Sequence, residues 1–122
     1  MDQIFAFALC AHNIGEQFGY SQDMHGLSYL HVAALLERGI QVLVYVGEND
    51  WICNWMGNLA WTMQLEWSGQ DVYRREKLMD WSTVDGIVAG RTKSGGGLTF
   101  ATILGAGHMV RCPPFGFLVY IR

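Results

Sequence analysis

Two short apolar segments, residues 42–46 and 98–104, constrain the fold of this chain more than any other feature. Both are rich in β-branched and apolar side chains and both stop at a glycine, a pattern typical of buried strands. Asp50 stands just beyond the first segment, and His108 just beyond the second. Because ligands of α/β sheets bind at the carboxyl ends of parallel strands, we expect Asp50 and His108 to lie together at one edge of a sheet.

An Asp and a His in this arrangement supply two of the three members of a hydrolase triad. Asp50 would accept a hydrogen bond from the ring of His108, and His108 would act as general base toward a serine hydroxyl. The order Asp before His is that of α/β-hydrolases, in which the serine comes earlier in the chain. Position alone leaves alternatives: Asp50 could cap the following helix, Glu48 could replace it as the acid, and His108 could be an exposed turn residue.

Several blocks of this sequence closely resemble one known family. Residues 47–61 read GENDWICNWMGNLAW, residues 65–70 read LEWSGQ, and residues 105–110 read GAGHMV. Together with residues 35–45 and 98–100, they resemble the serine carboxypeptidases, especially the carboxypeptidase Y-like vacuolar branch. Because separate blocks match in the right order, the resemblance is specific. It extends over residues 19–110, with no resemblance found in the first 18 residues and a divergent tail at residues 111–122.

The resemblance implies a fold and a set of site residues. The fold class is α/β, a partial α/β-hydrolase fold made of the C-terminal strands and helices of the mixed sheet. The catalytic residues would be Asp50 and His108, and Glu48 would support their loop. The residues implied in substrate binding are Cys53, Asn54 and Met109. For Cys53 the alternative is a small buried residue. No metal and no organic cofactor are implied.

The nucleophile of such a triad is not found in these 122 residues. The motif G-x-S-x-G is absent from the sequence. A complete α/β-hydrolase sheet with its helices also needs roughly twice this length. We therefore interpret residues 1–122 as a single incomplete α/β-hydrolase domain. Its expected partners are a peptide substrate and a chain that carries the N-terminal half with the serine.

Composition excludes several other classes of protein. The net charge of −3 and the lack of Lys or Arg clusters argue against nucleic-acid binding. No apolar run approaches the length of a membrane span. The three cysteines show no spacing typical of zinc ligands. The first ten residues lack the basic start of a signal peptide. A vacuolar, lysosomal or secreted location is implied by the resemblance alone.

Local patterns predict the remaining elements. Leu27, Leu30, Ala34 and Leu35 fall on one face of a helix that stops at Gly39. A second helix is predicted from a cap at Asn54 to about residue 67, and a short charged one near residues 71–77. Residues 81–92 predict one or two strands, followed by a glycine-rich turn at 94–97. The alternative function is a non-catalytic interaction module, or a truncated and inactive gene product.

Overall fold

The structure, a computed structural model, describes residues 11–22 and 27–110. The predicted divergent tail and the thiols of Cys10 and Cys112 lie outside the described residues. The elements in chain order are α1 (His12–Ser21), α2 (Ser28–Glu37), β1 (Val42–Gly47), α3 (Trp55–Gln64), α4 (Gln70–Arg75), β2 (Met79–Ser82), β3 (Val88–Gly95) and β4 (Leu98–Ile103).

The four strands within residues 11–22 and 27–110 form one mixed sheet in the order β1-β4-β3-β2. β1 and β4 run parallel, with Val42 opposite Leu98 and Gly47 opposite Ile103. β3 is antiparallel to β4 and to β2. The two strands that were predicted to carry Asp50 and His108 are therefore direct neighbours that end at the same edge of the sheet. This confirms the predicted parallel pairing.

The core lies against β4, which is flanked by a strand on each side. Leu98, Phe100 and Thr102 of this strand have no exposed surface. Five of the six residues of β4 are buried, as expected for a strand covered on both faces, and four of the six are apolar. The other buried members of the core come from β1, from helices α2 and α4, and from the segment between α3 and α4; they are Val46, Leu36, Tyr73, Leu65 and Trp67.

Helix α2 packs through a different face from the one predicted. Of the predicted apolar face, Leu27 and Leu30 are half exposed, at 57% and 50%. Leu36 is buried instead, and Val32 and Ala33 pack against the core cluster. The prediction of the contact face was wrong because α2 is apolar on both sides, so periodicity could not select the side that meets the sheet. A helix that is apolar all round is typical of a fully buried position.

The other predicted elements are present, with shifted ends. The Asn54 side chain accepts a hydrogen bond from the N–H of Gly57 at 2.9 Å, which confirms it as the cap of α3. That helix ends at Gln64, because Leu65 turns to an extended conformation. The segment 81–92, for which one or two strands were predicted, contains the end of β2 and the start of β3, joined by residues 83–87. The glycine-rich turn predicted at 94–97 is confined to residues 96–97.

Candidate active site

The candidate site is built where β1 and β4 end side by side. The loop after β1 carries Asp50, and the loop after β4 carries His108. Backbone hydrogen bonds join the two loops: the N–H of Glu48 donates to the carbonyl of Ile103 at 3.0 Å, and the N–H of Asn49 donates to that of Ala106 at 2.9 Å. Because these bonds join main-chain atoms, they hold the loops together independently of their exposed side chains.

The close approach of the two loops depends on Gly47, the last residue of β1. A Cβ atom at this position would overlap the carbonyl oxygens of Ala106 and Gly107. The loop that carries His108 therefore crosses directly over the end of β1, in space that any other side chain would occupy. This is the structural reason for a glycine at the end of the Asp-bearing strand.

Both carboxylate oxygens of Asp50 are hydrogen bonded. Oδ1 accepts from the N–H of Ile52 at 3.0 Å and from the N–H of Cys53 at 2.9 Å. Oδ2 lies 2.9 Å from Nδ1 of His108. Asp50 is buried, with 7% of its surface exposed. Since Asn54 caps α3, the alternative in which Asp50 caps that helix is wrong.

The electrostatic balance at Asp50 favours the ionised carboxylate. Burial opposes ionisation, but the hydrogen bond from Cys53, the neighbouring His108 ring and the hydrogen bond from Ile52 outweigh it and lower the pKa of Asp50 below its ordinary value. The carboxylate therefore stays charged at the pH of any ordinary compartment. A charged Asp50 can accept the Nδ1–H proton of His108 and stabilise the imidazolium form.

His108 is held at one ring nitrogen and exposed elsewhere. Its side chain is 60% exposed, whereas that of Asp50 is 5% exposed. With Nδ1 directed at Asp50, Nε2 is the nitrogen that remains for a proton transfer, and the described residues make no hydrogen bond to it. The predicted approach of Asp50 and His108 is thus present, with the ring open on its reactive side.

The three residues implied in substrate binding lie within four positions of Asp50 or His108 in the chain, and all three are exposed. Cys53 is exposed, so the alternative of a small buried residue is wrong. Met109 is 82% exposed beside His108. Asn54 is exposed and uses its side-chain oxygen to cap α3, which leaves its amide nitrogen for other contacts. A role of these residues in binding stays a prediction.

Glu48 does not compete with Asp50 for His108. Its Oε1 accepts a hydrogen bond from the hydroxyl of Thr102 at 2.9 Å and lies 3.4 Å from a guanidinium nitrogen of Arg91. The predicted supporting role of Glu48 is consistent with these contacts. Sequence reasoning missed Thr102 and Arg91, because nothing in their spacing along the chain distinguishes them from other strand residues.

Asp50, Cys53 and His108 could also hold a metal ion. Their potential ligand atoms lie within 4.8 Å of one another, and among the described residues they form the one such group. A metal bound through Oδ2 of Asp50 or Nδ1 of His108 would compete with the hydrogen bond between these two atoms. Two exposed apolar side chains, Trp51 and Ile52, extend the surface next to this group and were also missed.

Comparisons with known proteins point to one family. A sequence profile described as serine carboxypeptidase matches residues 2–113, so the match includes the first residues, where we found no resemblance. The chain is 41% identical over 108 residues to carboxypeptidase Y homolog A of Sclerotinia sclerotiorum and 36% identical over 107 residues to carboxypeptidase Y of Komagataella phaffii. Each alignment covers 88% of this chain and 20% of the relative, so the chain spans about a fifth of their length.

A solved structure supports the same fold. The crystal structure of a prohormone-processing carboxypeptidase from Saccharomyces cerevisiae, Kex1Δp, matches 68% of this chain and 19% of its own, with a TM-score of 0.59 and 29% identity. With the mixed sheet described above, this confirms the predicted partial α/β-hydrolase fold. Among the described residues, no helix has both the length and the apolar character to cross a membrane.

Proposed function

Since this chain belongs to the serine carboxypeptidase family, we propose that it supplies the acid and the base of a serine-type carboxypeptidase active site. The observation that carries the proposal is the 2.9 Å contact between Oδ2 of Asp50 and Nδ1 of His108, at the ends of adjacent parallel strands. The reaction would release C-terminal residues from peptides. The serine would come from a segment outside these 122 residues.

In the proposed mechanism His108 moves the protons. Its Nε2 takes the proton of the serine hydroxyl as the oxygen attacks the last peptide carbonyl, and it returns that proton to the leaving amine. The acyl-enzyme is then hydrolysed by a water molecule that His108 activates in the same way. Asp50 accepts the Nδ1–H bond throughout, and its charge stabilises the imidazolium that forms in each step.

The peptide would lie against the exposed surface around the pair. Cys53, Asn54 and Met109 are our candidates for contacts with it, and their exposure, close in the chain to Asp50 or His108, supports this assignment. We also propose a vacuolar, lysosomal or secreted location, which rests on the similarity to carboxypeptidase Y proteins.

A chimera tests the function directly. The matching segment of Komagataella phaffii carboxypeptidase Y is replaced by residues 2–110 of this chain, and release of C-terminal residues from peptides is measured. We expect activity from the chimera, and Asp50→Asn or His108→Gln should lower its kcat by about 10⁴ or more, as expected for triad members. His31→Gln, at an exposed position of α2, is the matched control.

The outcomes separate the alternatives. A folded chimera that keeps its kcat after His108→Gln would overturn the proposal. The 122-residue chain alone should not react with a fluorophosphonate probe, because it has no G-x-S-x-G motif. Labelling of the isolated chain would contradict the assignment of the nucleophile to another segment. A folded chimera without activity would favour the alternative of a non-catalytic interaction module.

A further inference from the structure

Arg91 contacts both ends of the segment that carries Asp50. Its guanidinium group lies 3.4 Å from Oε1 of Glu48, two residues before Asp50. The same group stacks over the ring of Trp55, five residues after Asp50, at 4.4 Å from the ring centroid. Trp55 is the first residue of α3, so Arg91 joins the end of β1 to the start of the next helix across the Asp50 loop.

The Glu48 carboxylate is fixed from a second direction by buried groups. Thr102 has no exposed surface, and its hydroxyl donates to Oε1 of Glu48 at 2.9 Å. The same hydroxyl oxygen accepts from the backbone N–H of Arg91, also at 2.9 Å. The Arg91 backbone therefore orients the hydroxyl that holds Glu48, while the Arg91 side chain pairs with Glu48 directly. These contacts connect β3, β4 and the Asp50 loop in one network.

These contacts serve local geometry more than global stability. The side chains of Arg91 and Glu48 are 36% and 19% exposed, and a partly exposed ion pair contributes little to the free energy of unfolding. The planar guanidinium, however, can pair with a carboxylate and stack on an indole at the same time, which a lysine ammonium cannot do. Fixing both ends of a short loop restricts the position of the residue between them.

We propose that Arg91 is a positioning residue, which holds the Asp50 loop at Glu48 and Trp55 so that the Asp50 carboxylate stays aligned with Nδ1 of His108. The catalytic meaning of this alignment rests on the proposed function. Its geometry does not, because the hydrogen bond between Asp50 and His108 can be observed without substrate or nucleophile.

The experiment measures which ring nitrogen of His108 carries the proton. Long-range ¹⁵N NMR of the 122-residue chain in alkaline buffer gives the ratio of the Nδ1–H to the Nε2–H tautomer of the neutral ring. The Nδ1–H form is the one that Asp50 stabilises. In Arg91→Met we expect this ratio to fall by about tenfold, within the range for coupled neighbours. Amide protection in β4 should be unchanged.

Two further variants keep the result interpretable. Arg91→Lys retains the charge opposite Glu48 but not the stacking on Trp55, so its ratio should lie between those of the wild type and Arg91→Met. If Arg91→Met does not fold, the comparison of Arg91→Lys with the wild type is sufficient for the test. Arg75→Met is the matched control, because Arg75 is an exposed residue of α4. Its ratio should equal that of the wild type.

Two results would overturn the inference. In the first, the tautomer ratio of both Arg91 variants equals that of Arg75→Met. In the second, the ratio falls only in proportion to a loss of amide protection throughout β4, which would make Arg91 a general structural residue. Neither result depends on peptidase activity, so a failure here is distinct from an inactive chimera.

Discussion

The two oxygens of the Asp50 carboxylate bind different partners. Oδ1 binds the N–H groups of Ile52 and Cys53 within its own loop, whereas Oδ2 meets the ring of His108. Because two backbone N–H groups of its own loop hold Oδ1, the conformation of that loop restricts the direction of Oδ2. The conformation of the loop therefore controls the acid–base pair, and the exposed side chains around it have less influence.

The lowered pKa of Asp50 predicts a loss of stability in acid. Its pKa in the folded chain lies below the unfolded value of about 3.9, so the folded state is favoured above that pH. This contribution disappears as the pH falls through the folded pKa. We expect urea unfolding from pH 5 down to about pH 2.5 to show a steeper loss of stability for the wild type than for Asp50→Asn.

The matched control for this titration is Asp85→Asn, at an exposed position in the turn between β2 and β3. Its stability should fall with pH in parallel with the wild type. If Asp50→Asn also follows the wild-type curve, the carboxylate of Asp50 does not gain hydrogen bonds on folding, and the described geometry is wrong at its central contact.

At the scale of single residues, the sequence was sufficient to predict the site residues that follow the ends of strands. It was not sufficient to predict the residues that make contacts between strands. The approach of Asp50 to His108 was predictable because parallel neighbours end together. Arg91 was not, since its partners Glu48 and Thr102 are distant in sequence and depend on the register of β3 against β4. A single sequence carries no signal for such register contacts.

The elements that matter most are the ends of β1 and β4 and the loops that follow. Their backbones touch at Gly47, where a Cβ would overlap two carbonyl oxygens of the opposite loop. Secondary structure was predicted well here because apolar strands and glycine stops have strong local signals. The contact face of α2 was predicted wrongly, because it depends on which neighbours the chain supplies.

Gly47→Ala should therefore displace the loop that carries His108. We expect a loss of about 1–3 kcal/mol in the free energy of unfolding, typical of overpacking, together with loss of the Asp50–His108 hydrogen bond in the ¹⁵N spectrum. Gly107→Ala is the control, since a Cβ there would meet nothing within 4 Å. It should change stability by no more than about 0.5 kcal/mol. Equal effects of the two changes would refute the close-approach argument.

For the whole molecule, the informative feature is the apolar surface left exposed. Leu43 and Tyr45 alternate with packed residues along β1 and are 45% and 57% exposed. Parallel strands of α/β proteins are normally covered by helices on both faces. The predicted apolar face of α2 is exposed as well. Since the chain spans about a fifth of its relatives' length, we expect further polypeptide to cover these faces in the functional protein.

From this uncovered face we predict self-association of the 122-residue chain at micromolar concentration. Association would bury the exposed apolar side chains and pair the unpaired strand edge. Sedimentation velocity should show concentration-dependent species for the wild type. The double variant Leu43→Lys/Tyr45→Lys should shift the distribution toward monomer. Val84→Lys, at a fully exposed position in the turn between β2 and β3, adds positive charge at a distance and should leave association unchanged. A wild type that stays monomeric throughout would show that the face needs no cover, and would favour an independent module over one part of a larger hydrolase domain.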